Sequence, residues 1–263
     1  MTDTAGQIAA SKVPAVREMR FRDIGTALRA GLRDYRRKPM MGLFFAHVYV
    51  VGGWLLYVFL FITDQIWWAI PISVGFPLLG PFLAVGLYEV SRRLEAGQAE
   101  WRRNDIFGVI WRQRLRQLPS MAWVIIVYFL FWSFFAHMLF ALFLGPSALT
   151  NVTSSYAYLV QPEGLMMLAV GTVFGAGFAV VLFCLTAVSL PLLLDKELDF
   201  VTAMVTSVAV VRRNPGVMLA WGAIIAGLTF LGMVPGLLGL FVVLPVLGHA
   251  TWHIYRAALV PQD

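Results

Sequence analysis

Residues 39–91, 117–195 and 214–255 contain no lysine or arginine. That distribution constrains the fold more than any motif does. A soluble domain spreads basic side chains over its whole surface, with about 25% of its residues charged. Here all 20 Lys and Arg fall within 12–38, 92–116, 196–213 and at Arg256, and only 13% of residues are charged against 60% hydrophobic. Long apolar runs without basic residues belong in a bilayer.

Six stretches, 40–62, 70–91, 121–144, 164–188, 216–234 and 236–256, are each about 20 residues long, enough to cross a hydrocarbon core of roughly 30 Å. Val234-Pro235-Gly236 reads as a tight turn that joins the last two into a hairpin. In a six-span arrangement every basic segment lies on one side, and the opposite loops carry only Asp64 and Glu163. Basic loops stay cytoplasmic, so both termini are expected there. Topology thereby accounts for the net charge of +6, and no nucleic-acid partner is expected. Residues 1–20 read as a flexible cytoplasmic tail without a cleavable leader, 21–38 as an amphipathic interfacial helix, and 39–258 as the membrane domain. Cys184 is the single cysteine, which leaves no disulfide framework and no cysteine metal site. Asn151-Val-Thr in the loop 145–163 reads as a chance glycosylation match.

The chain also repeats itself. Three times an acidic residue opens an amphipathic stretch, which ends in arginines and a proline before two apolar spans. The copies begin RDIGTALRAGLRDYRRKP (22–39), NDIFGVIWRQRLRQLP (104–119) and LDFVTAMVTSVAVVRRNP (198–215), within repeats of about 22–97, 104–195 and 198–258. Asp23, Asp105 and Asp199 suit helix N-termini. The second span of each repeat carries a helix-bending proline: Pro81, Pro191 and Pro245. Eight residues after these stand Glu89, Asp199 and His253; four after stand Val85, Asp195 and His249. Each proline frees a backbone carbonyl, which a neighbouring helix or water must satisfy. The expected fold is all-α, with six transmembrane helices in three hairpin repeats and interfacial amphipathic helices.

The stretches GFPLLGPFLAVGLYEVSRRLEAG (75–97), SLPLLLDKELDFVTAMVTSV (189–208) and VVLPVLGHATWHIYR (242–256), together with 22–39, resemble the DUF2189 family of bacterial integral membrane proteins over roughly residues 21–258. The resemblance implies a bacterial inner-membrane protein of unknown function, with no catalytic residues to carry over. Some members are labelled cytochrome oxidase subunits, a label that four histidines and six spans do not fit.

Ionisable residues within a membrane are costly and mark candidate sites. If the helices converge, His47, Glu89, Asp195, His249 and His253 line one polar cavity at the cytoplasmic mouth, suited to proton relay. His249 and His253, four apart on a helix, are weak metal candidates, since HxxxH lacks the glutamate of HExxH. Ion pairing of Glu89 with Arg92 and Arg93 at the interface explains the same residues more simply. His137 reads as a packing residue. Gly171 and Gly175 form a GxxxG suited to helix packing within the chain. Trp67, Trp68, Trp101, Trp111, Tyr156, Tyr158, Trp252 and Tyr255 read as an interfacial belt.

The face Ile24, Leu28, Leu32, Tyr35 is expected to lie on the bilayer, with anionic lipid drawn to the arginines around it. No P-loop, GxSxG, HExxH, CxxC or dinucleotide fingerprint is present. No enzymatic activity and no cofactor are expected. The favoured expectation is an accessory or assembly factor that contacts other membrane proteins. The alternative is a small permease or channel, and a heme or metal carrier is a weaker third.

Overall fold

The computed structural model describes residues 13–58, 62, 69–98, 100, 105–106, 108–109, 111, 116–144 and 161–260. Asp64, the sequon loop, half of 104–117, and the ring residues Trp67, Trp68, Trp101, Tyr156 and Tyr158 lie outside them. Among the described residues the fold is all-helical, with one isolated antiparallel bridge between Val16 and Leu259. The helices are α1 (Phe21–Arg37), α2 (Pro39–Tyr57), α3 (Ala69–Glu95), α4 (Leu118–Leu144), α5 (Pro162–Thr186), α6 (Ser189–Asp195), α7 (Phe200–Arg213), α8 (Pro215–Met233) and α9 (Leu240–Ala258).

Four segments are long and apolar enough to cross a membrane by themselves: Pro39–Tyr57, Leu118–Phe143, Pro162–Asp195 and Pro215–Met233. They correspond to α2, α4, α5 with α6, and α8. Of the six stretches read from the sequence, those in α3 and α9 do not stand out this way. Both spend their final turns on polar residues, Glu89 to Glu95 in α3 and His249 to Arg256 in α9.

Local signals explain the helix ends. At the start of α1, the Asp23 carboxylate accepts the Arg20 N–H at 2.8 Å, and Arg36 and Arg37 occupy the last turn, where the helix dipole favours cations. Asp199 caps α7 by accepting the Thr202 N–H at 2.8 Å. Pro39 and Pro215 each stand first in α2 and α8, where the missing N–H is harmless. The residues before them share one unusual conformation: Lys38 has φ −136°, ψ 58° and Asn214 has φ −127°, ψ 50°. Proline disfavours the helical region for its predecessor, which sets both joints. Between α8 and α9 the turn is made by Gly236 and Leu237, both with positive φ, and Gly239 abuts the backbone of Gly232. The expected hairpin is there.

Within the stretch 1–20, read as a flexible tail, residues 13–20 are tied down. The Arg17 N–H donates to the Ala258 carbonyl at 2.8 Å, and the Val260 N–H donates to the Ala15 carbonyl at 2.9 Å. Asn214 completes the clamp, accepting the Met19 N–H at 2.7 Å and donating to the Arg17 carbonyl at 3.0 Å. Residues 15–19 and 258–260 are thereby stitched together beside the joint of α7 and α8.

α9 is the central helix, packed against α1, α2, α3, α6 and α8. α1 comes closest. A Cβ on Gly31 would lie 2.6 Å from the Val246 carbonyl oxygen and from the Ala250 nitrogen. The buried stripe of α1 is Ile24, Ala27, Ala30, Gly31 and Asp34. Leu28, Leu32 and Tyr35, which the sequence placed at the centre of a lipid-facing stripe, are half-buried at its edge. Small side chains there let α1 dock on protein.

Two of the three expected helix-bending prolines can be followed to their consequences. Pro245 stands inside α9 and removes the N–H that would bond the Phe241 carbonyl. The Tyr35 hydroxyl donates to that carbonyl instead, at 3.2 Å, which ties α1 to α9 at the break. Pro191 follows an interruption at 187–188 between α5 and α6. There the Val188 N–H donates to Ser207 Oγ at 3.1 Å and Ser189 Oγ donates to the Leu185 carbonyl at 2.6 Å. Pro81 lies within α3, which runs through it as helix.

Candidate functional site: a polar clasp at the end of α9

The segment Trp252-His253-Ile254-Tyr255-Arg256 turns each of its polar side chains to a carboxylate on another element. The Trp252 indole donates to Glu95 Oε2 on α3 at 2.8 Å. His253 Nε2 pairs with Asp34 Oδ2 on α1 at 2.7 Å. The Tyr255 hydroxyl donates to Asp195 Oδ2 at the end of α6 at 2.6 Å. Arg256 Nε donates to Glu95 Oε1 at 3.1 Å, and its Nη1 lies 3.9 Å from Asp195 Oδ2. Helical spacing sends neighbouring residues to different faces, so one turn and a half of α9 gathers α1, α3 and α6.

Beneath this rim lies a second layer. Glu89 has no exposed surface. Arg92 Nε donates to its Oε2 at 2.7 Å, Arg92 Nη2 to its Oε1 at 3.0 Å, and Arg93 Nε to its Oε1 at 2.6 Å. A buried carboxylate is tolerated only with such compensation. The ion pairing expected at i+3 and i+4 is what the geometry displays. His249 is likewise fully buried. Its Nδ1 lies 2.9 Å from Ser91 Oγ, and Nε2 has no hydrogen-bond partner. His253 and Ser91 both favour the charged Asp34 carboxyl, so Asp34, His253, Ser91 and His249 lie in one neighbourhood.

Charge in the rim follows from these partners. Burial pushes the Asp34 carboxyl upward, but the hydrogen bond and charge of His253, helped by Ser91, outweigh it and hold Asp34 below the usual carboxylate value. The exposed Asp199 carboxyl is also held low, by its cap on Thr202.

The five residues expected to share a cavity are therefore divided. Asp195 and His253 meet in the rim through α9, and Glu89 and His249 lie in the layer below. His47 stands apart, exposed on α2 with its ring centroid 6.5 Å from that of Phe241. Phe241 precedes His249 by two helical turns, about 12 Å along α9. His249 and His253 take different partners, Ser91 and Asp34, and among the described residues no three His, Cys, Asp or Glu side chains converge as metal ligands would. His137 lies on the exposed side of α4, its Nδ1 2.7 Å from the Ser133 carbonyl oxygen.

Gly175 faces Trp132 of α4, with 3.1 Å between its ideal Cβ position and the ring, whereas Gly171 faces open space. One of the two glycines packs. The α4–α5 contact is otherwise aromatic: Phe135 meets Phe174 at 5.0 Å between centroids, Trp132 meets Phe178 at 5.1 Å, and the Tyr128 hydroxyl donates to the Phe178 carbonyl at 2.8 Å. Contact falls at 174 with 135 and at 178 with 128 and 132, so the two helices run antiparallel.

Trp252 and Tyr255 are corrections to the expected belt. They are 1% and 2% exposed, and both are anchors of the clasp. Asp34, Ser91 and Glu95 were not singled out in the sequence. Asp34 sits within the basic run RDYRRK, where a carboxylate reads as solvated. The signal that marks it is its spacing from Ile24, Ala27 and Gly31, which puts it on the small-residue face of α1.

Apolar helices of spanning length around a buried polar layer define a polytopic integral membrane protein. Residues 69–195 match the family model described as a predicted integral membrane protein (DUF2189). The match covers α3 to α6; α1, α2 and α7 to α9 lie outside it. No curated protein and no solved structure matches the chain.

Proposed function

We propose that this protein is a non-enzymatic accessory or assembly factor of a bacterial inner-membrane complex. In this reading six spans cross the membrane in three hairpin repeats, both termini are cytoplasmic, and the arginine-rich segments rest on anionic lipid. The observation that carries it is the pairing within the clasp. Glu89, Asp34, Asp195 and Glu95 each hold partners from the same chain, so the groups a transport mouth would offer to a substrate are spent on joining helices. The outer faces of α4 and α5 suit a neighbouring membrane protein or lipid: Phe131, Phe134, Leu142 and Val173 are all exposed.

The repeat reading draws support from the packing order. α9 packs on α2, α3 packs on α4, and α5 touches α8, so each hairpin's second helix meets the first helix of the next. The matching joints at Lys38-Pro39 and Asn214-Pro215 support it too. α3 and α9 would then complete the six spans, burying their polar ends against one another.

A small permease is the second reading. It is favoured by a cavity of about 310 Å³ lined by α2, α3, α5, α8 and α9. Native electrophoresis and mass spectrometry of the protein extracted in mild detergent decide between the two. The accessory reading expects a stoichiometric membrane-protein partner. A homogeneous protein without one contradicts it.

A further inference from the structure

Trp221, in the second turn of α8, has no exposed surface and its indole N–H has no acceptor. It lines the cavity of about 310 Å³, whose walls are otherwise largely apolar, among them Phe45, Leu83, Leu190 and Leu244. No charged side chain is among the described residues of its lining. Tyr49, Tyr88 and Thr229 also border it, as do Thr186 and Thr251, whose hydroxyls donate to the carbonyls of Leu182 and Leu247 within their own helices. Trp221 thus lines an uncharged wall and carries an unspent donor. The other buried polar atom without a partner among the described residues, His249 Nε2, belongs to the residue beside Gly248, which lines the same cavity.

A buried donor without an acceptor is costly, and each one in a native structure calls for an explanation. Ligand pockets begin at about 300 Å³ and are mostly apolar with a few placed polar groups. We propose that this cavity binds a neutral, mostly hydrocarbon molecule through an ester or carbonyl oxygen that accepts the Trp221 N–H. An anion or cation would meet no counter-charge there. A wholly apolar molecule would leave the indole unsatisfied. The site is independent of the accessory reading, because the clasp lies on other side chains.

The test uses the full chain, stripped of lipid by detergent exchange. It is titrated with methyl palmitoleate and, separately, with dipalmitoleoylglycerol, an uncharged lipid with the same acyl chains, and the bound probe is counted by native mass spectrometry. Saturable one-to-one binding is expected for the wild type. Trp221→Phe, which keeps an aromatic ring and loses the donor, should bind about three- to tenfold more weakly. Ala84→Phe, which fills the lining of the cavity, should not bind. Binding of the methyl ester assigns the site to a free small molecule, and binding of the diacylglycerol alone assigns it to a bilayer lipid held by its ester. A wild type that binds neither probe overturns the proposal. So does a Trp221→Phe protein that is folded, as judged by circular dichroism, and binds as tightly as the wild type.

Discussion

His253 Nε2 lies 2.7 Å from Asp34 Oδ2, which bonds the penultimate turn of α9 to the last turn of α1. The pair has a definite pH signature. Asp34 is held below its usual value in the folded protein. A depressed carboxylate contributes stability above its unfolded pKa, near 3.9, and loses it as pH falls through the lower folded value. The stability gap between wild type and Asp34→Asn should therefore be full at about pH 5–6 and shrink below about pH 4. Thermal unfolding in detergent across pH 3–6 measures it, and a gap that widens in acid would contradict the assignment.

Tyr35 is expected to matter because of Pro245. Tyr35→Phe leaves the Phe241 carbonyl without its donor, at a cost of about 1–3 kcal/mol. Pro245→Ala restores the helix's own N–H to that carbonyl. In the Pro245→Ala background, Tyr35→Phe should then cost well under half as much. A double-mutant cycle reads the difference, and strictly additive losses would show the two sites to be independent.

Glu89→Gln removes the charge that holds Arg92 and Arg93. Breaking a fully buried pair costs about 3–5 kcal/mol. Arg92 is 42% exposed, so solvent screens part of this and about 2–3 kcal/mol is expected. Glu163→Gln, at the exposed start of α5, should melt like the wild type. Equal melting of all three proteins would show that Glu89 is not a structural keystone.

The two glycines of α1 should behave in opposite ways. Gly25 has nothing within 4 Å of its ideal Cβ position, so Gly25→Ala gains helix propensity and should stabilise by up to about 1 kcal/mol. Gly31→Ala drives a methyl into the α9 backbone and should destabilise by about 1–3 kcal/mol. Loss of α1 docking would also show as faster amide exchange over residues 21–37.

Hydropathy and basic-residue placement foretold the all-helical membrane architecture, because burial in lipid leaves few alternatives. The turn at 234–239, the caps at Asp23 and Asp199, and the pairing of Glu89 with its own helix were readable too. Each rests on residues a few positions apart. What could not be read is long-range. Asp34 meets His253 across most of the chain, and a carboxylate among arginines carries no local mark of burial. Trp252 and Tyr255 have the composition of a belt, and only the packing of α9 at the centre of the bundle turns them inward. The tethering of 13–20 by Asn214 and Ala258 is backbone pairing, for which side-chain pattern gives little warning.

The central claim is that the polar groups at the end of α9 join helices and do not carry a substrate. Proton flux into proteoliposomes under an imposed pH gradient tests it most directly. With wild-type protein, flux should equal that of protein-free vesicles, and Asp34→Asn and His253→Gln should lower melting temperature without changing flux. Flux well above that background, abolished by either substitution in a protein that remains folded, would contradict the account.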